Sequence, residues 1–221
     1  MSDIKNSLSR ITESIPSNVL LVAVSKTKPL SILKEAYDAG QRDFGENKAQ
    51  EILDKGPNLP EDIKWHFIGH LQSKKVKQII RYTHLIHSVD SLKLIAEIDK
   101  RAQAIGKTQD ILIQVHIAKE ESKFGIPVEK LSSFIANTMD AFPNTRITGL
   151  MGMATFTDNE RVVSKEFATL KKAFNLIKTS YFNNNSSFSE ISMGMSGDYK
   201  LAIEEGSTMI RVGSSIFGSR D

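Results

Sequence analysis

The sequence predicts an α/β fold, a (β/α)8 TIM barrel in a single domain with an extra helix at its front. Three observations support it. Eight short strand-like segments, the first and fifth strongly apolar and β-branched, alternate with segments that read as helices. Strands that alternate with helices run parallel, and eight of them fit a closed barrel. Neither a linker nor a break in composition divides residues 1–221. An open doubly wound sheet is the competing arrangement, disfavoured because no Gly-rich turn follows the first strand and no G-x-G-x-x-G occurs. At 221 residues the chain is shorter than the ~250 typical of such barrels, so its loops must be short.

Ile4, Leu8, Ile11 and Ile15 recur at helical spacing and predict an amphipathic opening helix, which Pro16 ends. Leu20 to Val24 is apolar without polar alternation, as expected of a strand buried on both faces, and Pro29 lies beyond its end. Residues 30–39 form a helix with Gly40 as C-cap. Residues 42–47 are a short strand turning into a helix over 48–54, and Gly56, Pro57 and Pro60 mark a loop. Residues 65–69 are the third strand, before a basic helix over 73–81. The fourth strand spans 84–89, and Asp90-Ser91 opens a helix to about residue 105. The fifth spans 111–115; a polar loop over 120–125 follows, and Pro127 starts a helix to about 138. The sixth, 147–153, is interrupted by Gly149 and Gly152 and leads into a long helix over 159–179. After the polar loop 183–187, residues 190–193 are the seventh strand. A helix opens near 196–198 and ends at Gly206, and 209–213 is the last strand.

Composition narrows the function. With 40% hydrophobic and 25% charged residues the chain has the balance of a soluble globular protein. Its net charge of +3 is scattered, so nothing demands nucleic acid. Cysteine is absent, which excludes disulfides, a thiol nucleophile and thiolate metal ligands. Residues 1–6 are polar, unlike a signal peptide, and no apolar run approaches the roughly 20 residues of a membrane span, so the expected location is cytoplasmic. His66 and His70 have the spacing of a helical zinc pair, but they fall on a strand and no Glu follows His66.

A barrel of this kind carries its site at the C-terminal ends of its strands. Val22, Val24 and Lys26 share one face, so if the valines face a core, Lys26 stands at its mouth. Desolvation there favours the neutral amine that forms a Schiff base. The other reading is that Lys26 leaves the strand and reaches into water. The other strand ends deliver Glu46 and Asn47, His70, Asp90, His116, Thr155, Ser192 and Ser196, and finally Arg211, Gly213 and Ser214. The loops at 193–198 and 212–218 are rich in Gly and Ser, as barrel phosphate sites are. Either loop alone is compatible with an ordinary tight turn, with Ser196 as an N-cap. Together with a mouth lysine they point to a phosphorylated aldehyde, pyridoxal 5'-phosphate. A sugar-phosphate enzyme using the same loops is a further reading, and it predicts no visible chromophore.

Val22-Ala23-Val24-Ser25-Lys26-Thr27-Lys28-Pro29, Phe44-Gly45-Glu46-Asn47, Trp65-His66-Phe67-Ile68-Gly69-His70-Leu71-Gln72-Ser73-Lys74-Lys75, Glu121-Ser122-Lys123-Phe124-Gly125, Gly149-Leu150-Met151, Ser192-Met193-Gly194-Met195-Ser196 and Arg211-Val212-Gly213-Ser214-Ser215-Ile216-Phe217-Gly218 occur in order along nearly the whole chain. On these segments the chain resembles the pyridoxal-phosphate homeostasis proteins, which look like the barrel domain of alanine racemase standing alone. The resemblance implies one cofactor-binding domain over 1–221, with Lys26 holding pyridoxal 5'-phosphate as a Schiff base. It implies Ser196, Gly213 and Ser214 at the phosphate, Arg211 beside the pyridine nitrogen and Asn47 near the ring hydroxyl, with Ser192 also among the cofactor contacts. Residues 115–119 depart from the family, which more often has Asn and small residues there, and no site role is assigned to His116.

A permanent cation beside the ring nitrogen disfavours its protonation and leaves the ring a weaker electron sink. Racemases with this barrel also take a second base from a separate domain of a partner subunit, whereas this chain ends at Asp221 after the eighth strand. The expectation is a monomeric, non-catalytic carrier that buffers pyridoxal phosphate or delivers it to apo-enzymes that depend on it. The alternative is a pyridoxal-phosphate-dependent amino-acid racemase.

Overall fold

The structure, a computed structural model, describes residues 3–120 and 124–218; Glu121, Ser122 and Lys123 of the family-like segment lie outside the described residues. Nine strands occur among those described: β1 (Leu20–Val24), β2 (Asp43–Glu46), β3 (Lys64–Phe67), β4 (Thr83–Val89), β5 (Gln109–His116), β6 (Ile126–Pro127), β7 (Thr145–Gly152), β8 (Glu190–Ser192) and β9 (Met209–Val212). Eight of them close a ring in the order β1-β2-β3-β4-β5-β7-β8-β9, with β9 returning to β1 and every pair parallel. These are the eight strands read from the sequence. The ninth, β6, only extends the end of β5, with Val115 opposite Ile126 and His116 opposite Pro127. Two residues offer no periodicity to read.

The described helices are α1 (Asp3–Ser14), α2 (Leu30–Asp38), α3 (Ala49–Lys55), α4 (Ser73–Ile79), α5 (Leu92–Gln103), α6 (Leu131–Ala136), α7 (Glu160–Tyr181), α8 (Tyr199–Glu204) and α9 (Ser214–Phe217). Local chemistry sets many of their ends. Ser91 and Asn159 cap α5 and α7 by accepting the N–H groups of Leu94 and Val162. Gly40 follows α2 at φ +103°, a conformation that suits glycine. Two predicted helices need correction. The segment 127–138 divides into the end of β6, a 3-10 turn (Val128–Lys130) and the shorter α6. The helix predicted to open near Ser196 begins at Tyr199, because Gly194 turns the chain at φ +96° and Asp198 Oδ1 accepts the Met195 N–H at 2.6 Å.

The main core lies between the ring and its helices, where Phe44, Phe67, Phe167 and Phe188 are wholly buried. There α1 buries Ile4, Leu8 and Ile11 and packs against α2 and α9. The inside of the ring holds a much smaller apolar cluster of Val22, Leu85, Leu112, Met151 and Met209. Strand register places Arg211 opposite Val22, and His66 opposite Gly45 and Leu85, so polar residues share this interior.

Close strand approach depends on glycine at Gly149, where an added Cβ would fall 1.8 Å from the Glu190 carbonyl oxygen of β8. Gly149→Ala should therefore lose about 2 kcal/mol or more in chemical denaturation. Gly197→Ala, with open space at the same test, should stay within about 0.5 kcal/mol.

Candidate functional site

Strand β1 ends at Val24, and the next residues carry the lysine. Ser25 is fully buried and donates from Oγ to Glu46 Oε1 at 2.6 Å. Thr27 lies at φ +66°, a left-handed conformation that costs a threonine about 1–2 kcal/mol. The Thr27 N–H donates to Glu51 Oε1 at 2.5 Å, and the Lys28 N–H closes the turn onto the Ser25 carbonyl at 3.1 Å. Lys26, half-buried between them, reaches the cavity described below.

A buried ion cluster anchors this turn. Lys55 Nζ, on α3, donates to Glu46 Oε1 at 2.8 Å, to Glu51 Oε1 at 3.3 Å and to the Ser25 carbonyl at 3.0 Å. Glu46 is wholly buried, and desolvation lifts its carboxyl from 4.5 to about 7 against the pull of Lys55 and Ser25.

The cavity at the C-terminal mouth holds about 430 Å³ and is lined by Lys26, Asn47, Ser196, Arg211, Gly213 and Ser214 together with Met153, Phe156 and Met195. Six of the seven residues expected at the site thus converge. Asn47 is placed by close packing, since a Cβ on Gly69 would fall 2.2 Å from the Asn47 carbonyl oxygen. The Gly213 N–H donates to Ser196 Oγ at 3.2 Å, which joins the two Gly/Ser loops. The first N–H groups of α9, directly after Gly213, have no partner within that helix. Ser192, the seventh, is not part of the lining. It lies a layer deeper, wholly buried, and accepts from Arg211 Nη1 at 2.6 Å. Arg211 Nη2 donates to the Gly152 carbonyl at 3.1 Å, and burial draws its guanidinium down to about 10, with Asp198 acting the other way.

Residues 1–221 match the family model of the alanine racemase N-terminal domain. The chain belongs to that family. Within it, the pyridoxal phosphate homeostasis protein of Escherichia coli K12 is 37% identical over 236 residues, covering 100% of this chain and 98% of its own. The protein of that name in Aquifex aeolicus is 39% identical over 201 residues, covering 90% and 86%. The structure of PipY from Synechococcus elongatus with PLP bound matches with a TM-score of 0.88 and 34% identity over 97% of this chain and 100% of that one. Alanine racemase from Bartonella henselae shares the fold, with a TM-score of 0.75 at 18% identity over 98% of this chain and 58% of its own.

In this member of the family, sequence reasoning missed the support beneath the mouth. The sequence marks Glu46 only as a residue at a strand end, places Glu51 without distinction in the helix over 48–54, and leaves Lys55 just beyond it. Lys55 carried no sequence signal, because its burial arises only when α3 packs against the ends of β1 and β2. His66 is bonded within the barrel and is no metal ligand pair with His70; among the described residues no group of three or more His, Asp or Glu could hold a metal ion. His116 turns to the Glu120 carbonyl at 3.0 Å.

Two substitutions test the ion cluster. Lys55→Met leaves two carboxylates without their cation and should lose about 3 kcal/mol or more near pH 8 by denaturant titration. Folding favours protonated Glu46, so its contribution is complete below pH 4.5 and disappears as pH rises towards 7. Glu46→Gln mimics the protonated form, so its stability relative to the wild type should rise across that interval, as melting curves at each pH will read.

Proposed function

We propose that this chain binds pyridoxal 5'-phosphate at the barrel mouth through a covalent link to Lys26, and that it buffers or delivers the cofactor without efficient amino-acid chemistry. One observation carries the reading. A single cavity joins an amine, two hydroxyl- and N–H-lined turns and a buried guanidinium. These groups suit an aldehyde, a phosphate and a ring nitrogen respectively. The names of the relatives and the bound PLP of the PipY structure support the same ligand.

When bound, pyridoxal phosphate supplies an aldehyde for an amine and a conjugated ring able to draw electrons. Lys26 is the amine, delivered by the Thr27 turn at the edge of a partly apolar cavity. Ser196, Ser214 and the Gly213 turn offer hydrogen bonds to the phosphate. Asn47 would flank the ring, Met153 and Ile68 would supply apolar wall, and Ser192 would act through Arg211 rather than by contact.

Arg211 decides between carrier and catalyst. Even with its pKa lowered to about 10, it stays charged at neutral pH. A cation at the ring nitrogen keeps that nitrogen unprotonated and weakens the electron sink that racemases need. The recipients in this reading are apo-enzymes that require the cofactor, and the carrier acts as a monomer in the cytoplasm.

Visible absorption spectra of the purified chain with added pyridoxal phosphate, recorded beside Lys26→Ala, test the proposal. A band that borohydride abolishes is expected in the wild type and not in the variant. No band at saturation would refute the cofactor assignment. Racemisation of an amino acid at useful turnover, lost in Lys26→Ala, would replace the carrier with an enzyme.

A further inference from the structure

A row of polar side chains crosses the barrel interior beneath the Lys26 cavity. Arg211 Nη1 donates to Ser192 Oγ at 2.6 Å, and Ser192 Oγ lies 2.9 Å from His87 Nδ1. His87 Nε2 lies 2.9 Å from His66 Nδ1, and His66 Nε2 lies 3.0 Å from Asp43 Oδ1. The five residues come from β9, β8, β4, β3 and β2, and all are buried.

With both rings neutral, the two ends dictate the order of the protons. A guanidinium only donates and a carboxylate only accepts. Ser192 Oγ receives the Arg211 N–H, so its own proton goes to His87 Nδ1. His87 then carries its proton on Nε2 and donates to His66 Nδ1. His66 in turn carries its proton on Nε2 and donates to Asp43. The opposite order with neutral rings would set the lone pair of His66 Nε2 against the Asp43 carboxylate at 3.0 Å. Every group is satisfied in one direction, and two neutral imidazoles join a buried cation to a carboxylate near the far end of the barrel.

We propose that this row is a one-way hydrogen-bond chain, and that Asp43, His66 and His87 are positioning residues that lock the Arg211 guanidinium in place through Ser192. The inference deepens the reading of the mouth as a pyridoxal phosphate site, because the locked guanidinium is the group set against the ring nitrogen. Neutral His87 agrees with its surroundings. Complete burial holds its pKa well below the ordinary value, helped by His66 on β3, Arg211 on β9 and His84 on β4, and Ser192 on β8 bonds to it. At the other end, His66 and His84 line an opening at the N-terminal mouth with Asp110, Arg146 and Glu190.

The test begins with the full chain free of cofactor, labelled with 15N in histidine and arginine. At pH 8, His66 and His87 should both carry their proton on Nε2 and none on Nδ1, with a scalar coupling across the N–H···N bond between them. The Arg211 side-chain N–H signals should be separate and slow to exchange. A proton on His87 Nδ1 at this pH would overturn the chain. His87→Leu should collapse the Arg211 signals into the pattern of a freely rotating side chain. His87→Gln, which can still accept from Ser192 and donate to His66, should retain them. In the loaded protein, His87→Leu should weaken pyridoxal phosphate binding by about tenfold and shift the pH dependence of its visible band, and His87→Gln should restore both. Unchanged Arg211 signals in His87→Leu would overturn the positioning role, and if that variant fails to fold, the wild-type tautomers still decide the chain. A wild type that binds no pyridoxal phosphate would refute the proposed function alone, since the cofactor-free signals judge this inference separately.

Discussion

A guanidinium held out of water governs the inside of this barrel. Moving such an ion from water costs several kcal/mol even after relaxation. Arg211 is only 4% exposed, and Asp198 offsets the effect of its burial only in part. Its direct hydrogen bonds go to neutral dipoles, the Gly152 carbonyl and the Ser192 hydroxyl. Each dipole needs a further partner once buried. That requirement propagates from Ser192 to His87 and His66 and ends only at Asp43. Barrels of this type usually fill their centre with branched aliphatic side chains. Here much of that space is given to hydrogen-bonding groups, and the interior apolar cluster is correspondingly small.

The turn that carries Lys26 is anchored by the opposite solution. Lys55 is buried with two carboxylates in direct contact, and Glu46 lies at a pKa near neutrality because desolvation outweighs its pairing. Charges at this edge are met by charges, and those at the centre by a chain of neutral groups. The difference has a geometric origin. Helix α3 packs over the ends of β1 and β2 and can deliver Glu51 and Lys55 there, whereas only strand residues reach the barrel axis. The left-handed Thr27 turn is possible because this cluster accepts its N–H, and the turn aims Lys26 inward.

Sequence reading recovered the ring because most of its strands carry apolar residues between turn signals and alternate with helical segments. It failed on β6, which is too short for any pattern, and on the start of α8, where Gly194 and Asp198 build a turn that resembles a helix opening. At the site, Lys26, Arg211 and the two Gly/Ser loops were legible because barrel geometry converts a strand end into a position at the mouth. Ser192 stands at the expected strand end but beneath the cavity lining, bonded to Arg211. The alternation of side chains says which face a residue takes, and says nothing of its depth.

The amino-acid sequence by itself determined the α/β class, the strand count of the ring, the family resemblance and the amine at the mouth, because these rest on local periodicity and on residue types at strand ends. Only the tertiary structure decided which polar residues support that amine and that guanidinium. Lys55 reaches Glu46 across nine residues of sequence, and His87 reaches Ser192 across 105. No local pattern encodes those pairings, because they exist only once β4 closes the ring against β5 and the interior loses its water.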